Sequence, residues 1–457
     1  MKKVVLAAVC LMALHIDQAT AQTGKQCGTH ELELQLAADN PDFYQKRAEY
    51  FAEQEALAEM DKLAGTVSKS TAQYPIPVIF HVMLNSAQIN NLGGTAGINA
   101  RCVAQINQLN KDFNRQNADS TFIPTGLKAF YGNANLQFSL AHTDPDGDAT
   151  PGYEVLSTTA NSFPMNGGQG SGYMYSSAKY HNGSPSQWDP SKYLNVWVVN
   201  FSDPNLLGIA APPYMAYNGG QLPLNERGVT ISFGTLGHKP ATGPYLYYSS
   251  PYELGRTLTH ELGHYFELRH IWGDDGGLCP TQSGGQDDGI TDTPPQADAS
   301  SGSMNGVQYD GCTSGGNGIM YMNFMDYSND NRSLMFTIKQ AQHMHVYVDG
   351  TNSESHSLTQ HPELTQWPTE VSSIEPSNHF DIFPNPSNGR FSLNFAGVPQ
   401  SLQQVLVTNM MGQTVFEQSA EANTGIYTID ISGMSKGIYF VQCHFAEGVV
   451  TRKIVVE

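Results

Sequence analysis

His260 and His264 stand four residues apart in the stretch HELGHYFELRH, with Glu261 beside the first and His270 closing it. Residues four apart on a helix share a face, so both imidazoles can reach one ion. Three histidines around zinc leave a coordination position open for water. The ion lowers that water's pKa towards about 7, and Glu261 can take its proton as it attacks a carbonyl. Handing the proton to a leaving amine completes the hydrolysis of a peptide bond.

The third histidine sets a geometric condition. On a continuous helix His270 would lie about 15 Å along the axis from His260, at roughly 1.5 Å per residue, whereas zinc takes nitrogen ligands at about 2.0–2.1 Å. The helix must therefore end soon after His264 and the chain must turn back. Glycine makes such a turn at little cost, but this chain has Glu267 there. A left-handed conformation costs a non-glycine residue about 1–2 kcal/mol, which a zinc site worth about 10 kcal/mol can override. Two other readings stay open. The helix could run on, so that Glu267, three residues after His264, ligates instead of His270. Or the site could be inactive, with Glu267 as the lesion, in a surface-binding protein.

Stepping outward from the histidines, the surrounding pattern interleaves helices with a sheet. Ile76–Leu84 and Tyr193–Phe201 are apolar and β-branched enough for buried strands, and Gly228–Gly234 reads as another. Between them, Ala100–Asn117 carries Val103, Ile106, Leu109 and Phe113 on one helical stripe. Upstream, Pro41 to about Leu63 reads as an amphipathic helix capped by Asn40, followed by a polar, cleavable stretch, AGTVSKSTAQ. After about residue 350 a polar, Pro-punctuated linker leads into short alternating strands broken by Pro-Asn, Asn-Gly and Lys-Gly turns, the pattern of a small β-sandwich.

The chain has 457 residues, room for two or three domains, with 42 acidic against 23 basic residues and a formal net charge of −19. Such a surface repels a polyanion, which argues against nucleic acid as a partner. Lys2 and Lys3, the apolar run Val4–Leu14 and the small residues Ala19-Thr20-Ala21 form a secretory signal pattern. No later segment has the roughly 20 apolar residues of a membrane span. Signal removal takes Cys10 and leaves Cys27, Cys102, Cys279, Cys312 and Cys443. In an oxidising compartment that odd number leaves a thiol to be accounted for.

HELGHYFELRHIWGD followed by NFMDY resembles the pappalysin family of metzincin zinc endopeptidases, and the likeness runs from about Ile76 to Val346. It implies an α+β zincin domain, a twisted mixed sheet plus an active-site helix, with the all-β sandwich following. It further implies His260, His264 and His270 as zinc ligands, Glu261 as general base, Met325 as the methionine beneath the metal and Tyr327 as a tyrosine able to approach the metal or the developing oxyanion. Glu267 departs from the family's glycine.

Between His270 and Met325 lies an acidic, Gly-rich loop. On composition alone it reads as a solvated loop; the resemblance implies structural calcium, with Asp274, Asp287, Asp288 and Asp292 as candidates. Cys279 and Cys312 flank this region, and a bridge between them would contribute about 3–4 kcal/mol by closing a loop. Where family members carry a further cysteine after the methionine turn, this chain has SNDNRSL. Cys27, in KQCGT, resembles the cysteine switch of latent pappalysins, in which a thiolate takes water's place on zinc; a Cys27–Cys102 bridge or a spectator thiol are the alternatives.

The tail, with FPNPSNGRFSL, GIYFV and RKIVV, resembles the type IX secretion C-terminal sorting domain. That likeness implies handling by the type IX secretion machinery and a secreted or cell-surface destination; an ordinary binding sandwich is the alternative. The whole reads as signal peptide 1–21, pro-segment 22–72, catalytic domain 73–350, linker 351–376 and sorting domain 377–457. The expected product is a zinc endopeptidase acting on protein or peptide substrates.

Overall fold

The computed structural model describes residues 26–64, 74–164, 176–182, 184–213, 216–217, 220–221, 227–243, 247–350, 353–368, 380–395, 402–410, 412–419, 426–445 and 448–457. The expected signal peptide, the cleavable stretch at 65–73 and the linker at 369–376 lie outside them. The chain divides into two units, Met1–Pro368 and Thr369–Glu457.

The first unit is built on a seven-stranded mixed sheet. Its strands are β1 (Gln26–Cys27), β2 (Tyr74–Val82), β3 (Leu136–Leu140), β4 (Tyr153–Val155), β5 (Leu194–Val199), β6 (Leu206–Ala211) and β7 (Gly228–Ser232), in the order β1-β6-β7-β5-β2-β3, with β4 also on β2. The pairs β2–β3, β2–β4, β2–β5 and β5–β7 are parallel, whereas β6 runs antiparallel to β7. Every residue of β5 is buried, as suits a central strand covered on both faces. The expected strands at 76–84, 193–201 and 228–234 are thus present with slightly different ends. β6 was not anticipated, because LLGIAA is short and lacks alternation.

Two cores flank the sheet. One joins β2 and β5 to the helices α4 (Gly94–Phe113) and α5 (Arg256–Tyr265). The buried stripe of α4 is Ile98, Cys102, Ile106, Leu109 and Phe113; Val103 is 42% exposed. Spacings of four, four, three and four track one face of a 3.6-residue helix, and Val103 lies off that line. The second core joins Leu32 and Leu36 of α1 (Thr29–Asp39) and Phe43 of α2 (Phe43–Ala64) to Trp197, Val199, Leu206 and Ile209. Asn40, expected to open α2, closes α1 instead: its amide nitrogen and side chain both donate to the Leu36 carbonyl. A short α3 (Ser86–Asn91) precedes α4, and α6 (Ile338–Asp349) follows the methionine turn behind a capping box of Thr337 and Gln340.

The first part of the expected linker at 351–376 carries regular structure. Residues Glu354–Leu358 form a helix, α7, whose Leu358 is fully buried in the main core. Beyond it, the Leu364 carbonyl accepts from His142 N at 2.7 Å, and Trp367 stacks on His142 with 4.2 Å between ring centres. Scattered apolar residues in a polar stretch gave no periodicity from which to read this docking.

The second unit has two antiparallel sheets sharing one core. β8 (Phe380–Phe383), β9 (Arg390–Phe395) and β12 (Ile426–Asp430) form the first; β10 (Leu402–Asn409), β11 (Thr414–Ser419), β13 (Gly437–Phe445) and β14 (Gly448–Val456) form the second. Phe391, Leu393, Val405, Val407, Ile429, Val441 and Ile454 fill the space between them, as expected of a sandwich.

Candidate active site

The helix α5 is buried along its whole length and ends where the sequence requires it to end. Glu267 adopts φ +76°, the left-handed turn that glycine makes freely. Its N–H donates to the His264 carbonyl at 2.9 Å, and Leu268 N donates to Gly263 O at 2.9 Å. The chain folds back and brings His270 to the face that carries His260 and His264. Their Nε2 atoms approach one another closely, 3.0 Å for His264–His270 and 3.3 Å for His260–His270.

Each Nδ1 is engaged on the far side of its ring. His260 meets the Phe324 carbonyl at 2.6 Å, His264 the Leu268 carbonyl at 2.8 Å, and His270 the Asp274 carboxylate at 2.7 and 3.0 Å. A ring that donates from Nδ1 is left with a bare lone pair on Nε2, so three lone pairs point at one place. Nitrogens bound tetrahedrally at about 2.0–2.1 Å stand roughly 3.3 Å apart, which fits zinc. With Cys27 Sγ these three offer ligand atoms all within 4.8 Å of one another, the one such group among the described residues. Glu267 does not belong to it, which corrects the reading that placed its carboxylate on the ion.

Two glycines set the approach of the neighbours. A Cβ on Gly208 of β6 would lie 2.5 Å from Oε1 of Glu261, and a Cβ on Gly263 would lie 2.3 Å from the sulfur of Met325. Glycine at these two positions lets the strand reach Glu261 and the helix rest on the methionine turn. Met325 is fully buried there. The ring of Tyr327 stands 5.0 Å from that of His270 and 5.7 Å from that of His260. Burial pushes its phenol well up, so it keeps its proton and can donate.

Cys27 enters along β1, which lies parallel on the edge of β6 with Cys27 opposite Gly208. Its thiol donates to Glu261 Oε2 at 3.2 Å, and its N–H donates to the Tyr327 hydroxyl at 3.2 Å. Thr29, which no sequence signal pointed to, donates to the same Glu261 oxygen at 3.2 Å and accepts from Ala210 N at 2.9 Å. Burial, then the Glu261 carboxylate, push the Cys27 thiol well above its usual range. Cys102 is a separate buried thiol, so the Cys27–Cys102 bridge is not formed.

The acidic loop is stapled by the Cys279–Cys312 disulfide. Its four candidate aspartates are not brought together. Asp274 binds His270; burial works to raise its carboxyl, but His270 beside it holds it down at about 2. Asp287 accepts from Gly289 N at 2.9 Å. Asp292 accepts from the Thr337 hydroxyl at 2.6 Å and Lys339 N at 2.9 Å, at the start of α6. Asp288 accepts from Ile290 N and the Thr293 hydroxyl through Oδ1, while its buried Oδ2 has no hydrogen-bond partner. Burial raises its carboxyl to about 7.

The chain resembles known proteins in both of its units. Residues 181–349 match the peptidase family described as pregnancy-associated plasma protein-A, and residues 381–457 match the secretion system C-terminal sorting domain. Mature mirolysin of Tannerella forsythia, solved with a cleaved peptide, is 35% identical with a TM-score of 0.56, over 65% of this chain and 100% of that one. A mutant of Tannerella forsythia promirolysin is 33% identical with a TM-score of 0.62, over 75% and 100%. An extracellular metalloprotease of Arthroderma benhamiae is 35% identical over 155 residues, 34% of this chain and 46% of the relative. The chain spans about half the length of this relative and of two similar extracellular metalloproteases.

Proposed function

Because this chain belongs to the pappalysin family of metalloproteases, we propose that it is a secreted zinc endopeptidase made as a latent precursor, with a C-terminal sorting domain read by the type IX secretion machinery. The observation that carries the reading is the convergence of His260, His264 and His270 through Nε2, with the Glu261 carboxylate beside them. Zinc held by these nitrogens supplies an acidified water and a Lewis acid for the scissile carbonyl. Glu261 takes the proton on a carboxylate oxygen, in a fully buried setting, and returns it to the departing amine. Tyr327 donates a hydrogen bond from its hydroxyl, keeping its proton, to the oxygen on which negative charge develops.

In the precursor these groups are occupied by the pro-segment. Cys27 Sγ lies with the three ligand nitrogens in one group of atoms within 4.8 Å, where on zinc binding it would give up the proton it now donates to Glu261 and take the fourth position as a thiolate, while its backbone engages Tyr327. Trimming between α2 and β2 frees all three groups together, and the catalytic domain then begins near residue 73. The closing strands β8–β14 form the sorting domain. Calcium completes the reading: the unpartnered, buried Oδ2 of Asp288 in a Gly-rich loop suits a hard cation, with Asp287 and neighbouring carbonyls as further ligands.

Incubating a denatured protein mixture with the full chain and with its Glu261→Ala variant, then mapping new ends by mass spectrometry, tests the reading. The wild type cuts and trims its own pro-segment; the variant is slower by at least about a hundredfold. Equal digestion by both, or none by either after zinc loading and pro-segment removal, rejects it. Cys27→Ala, which opens the fourth position, is expected to give a precursor that digests substrate without prior trimming.

A further inference from the structure

We propose that Asp274 is a positioning residue for the third histidine, His270, and not a ligand of a second ion. The three imidazoles are not held alike. His260 and His264 sit on α5 and are oriented by backbone carbonyls, Phe324 O at 2.6 Å and Leu268 O at 2.8 Å. His270 lies beyond the end of the helix, where no periodic hydrogen bonding fixes its ring. Its Nδ1 meets both oxygens of Asp274, at 2.7 and 3.0 Å. Asp274 is thus a charged partner on the Nδ1 side of the ring, where His260 and His264 each meet a backbone carbonyl.

The local backbone is shaped to make this contact. Gly273 and Asp274 both adopt positive φ, +78° and +58°, which bends the chain so that the carboxylate returns to a ring four residues earlier. A Cβ on Gly273 would lie 2.6 Å from the Gln286 carbonyl carbon, so a side chain there would force the bend open. Trp272 stacks on His270 with 4.3 Å between centres and 9° between planes, fixing the ring's tilt while Asp274 fixes its rotation. Left-handed geometry at a non-glycine residue is costly, and here it turns the carboxylate onto His270. None of Asp287, Asp288 and Asp292 joins Asp274 in a group of ligating atoms.

A carboxylate behind a ligating imidazole holds the tautomer with a bare Nε2 and makes that nitrogen a stronger donor, and losing such a partner typically weakens metal binding about 10–100-fold. The pro-segment approaches the same group: Nδ1 of His30 lies 3.9 Å from Oδ2 of Asp274.

The inference rests on the zinc reading above, and its test separates the two. Zinc is titrated into the metal-free full chain against a competing chelator, and the cobalt-loaded protein is followed by its visible spectrum, for wild type, Asp274→Asn and Asp274→Ala. The alanine variant is expected to bind zinc 10–100-fold more weakly, and both variants to shift the cobalt bands. Asn keeps the side-chain shape, so it reports on the charge even if the alanine variant folds poorly. The shift in melting temperature produced by calcium is expected to match wild type. Unchanged zinc affinity and cobalt bands in both variants overturn the proposal, as does loss of the calcium shift with zinc binding intact. Failure of the wild type to bind zinc would instead reject the zinc reading itself.

Discussion

Glu267 occupies a turn that glycine would make freely, at φ +76°, and its side chain is 3% exposed with no hydrogen-bond partner on either carboxyl oxygen. Burial pushes its carboxyl well up, opposed by Arg47 and reinforced by Glu33, both contributed by the helices α1 and α2. Two costs therefore meet in one residue. The left-handed conformation accounts for about 1–2 kcal/mol, and holding a carboxyl group away from water adds to it. Yet the backbone makes the same turn a glycine would, and all three histidines meet. Glu267 lowers local stability and leaves the convergence of the three imidazoles intact. Replacing it with glycine is expected to raise the stability of the full chain at neutral pH by at least about 1–2 kcal/mol, read from the denaturant midpoint, with zinc binding retained. Glu267→Ala, which removes the carboxyl but keeps the strain, should recover only part of that gain.

At the scale of elements, the acidic loop is held by one disulfide and by hydrogen bonds that aspartates make to nearby backbone and hydroxyl groups. Asp288 gives this loop a pH dependence. Its carboxyl rises from an unperturbed 3.8 to about 7 on burial, so the folded state holds a proton that the unfolded chain releases earlier. Its contribution is complete below about 4 and is lost as pH rises through about 7. A cation bound at Asp288, as proposed, would take the proton's place. Calcium is accordingly expected to raise the melting temperature little at pH 5 and clearly at pH 8, and Asp288→Asn to abolish the difference. A calcium effect independent of both pH and Asp288 would place the ion elsewhere.

At the scale of the whole molecule, the first unit extends past the boundary that composition suggests. Leu358 on α7 is fully buried in the main core, and the division into units falls after Pro368. A chain ended at Gly350 is expected to be less stable than one ended at Pro368 by at least about 2 kcal/mol, the worth of burying one leucine, with α7's other contacts adding to it. Equal denaturant midpoints for the two would show that α7 contributes nothing. The N-terminal helices α1 and α2 are integrated just as deeply. Leu32, Leu36 and Phe43 share a core with Trp197 and Leu206, so in the proposed latent precursor a packed interface would hold this segment in addition to Cys27.

The pairing of His260 with His264, the placing of Glu261 beside them, the central strands and the sandwich were all legible, because each depends on spacing within a turn of helix or along one strand. The bridge between Cys279 and Cys312 was legible from their position around the acidic loop and the secretory signal. The choice of His270 over Glu267 was not, since both satisfy the local pattern and the direction of one turn decides between them. Nor was the role of Thr29, or the approach of Gly208 to Glu261, or the docking of α7. Cys27 meets a glutamate 234 residues away in sequence, and His260 is oriented by a carbonyl 64 residues on. Helix periodicity decides what stands within about a turn; only the packing of β6, the methionine turn and the pro-segment against α5 decides what the histidines and Glu261 face.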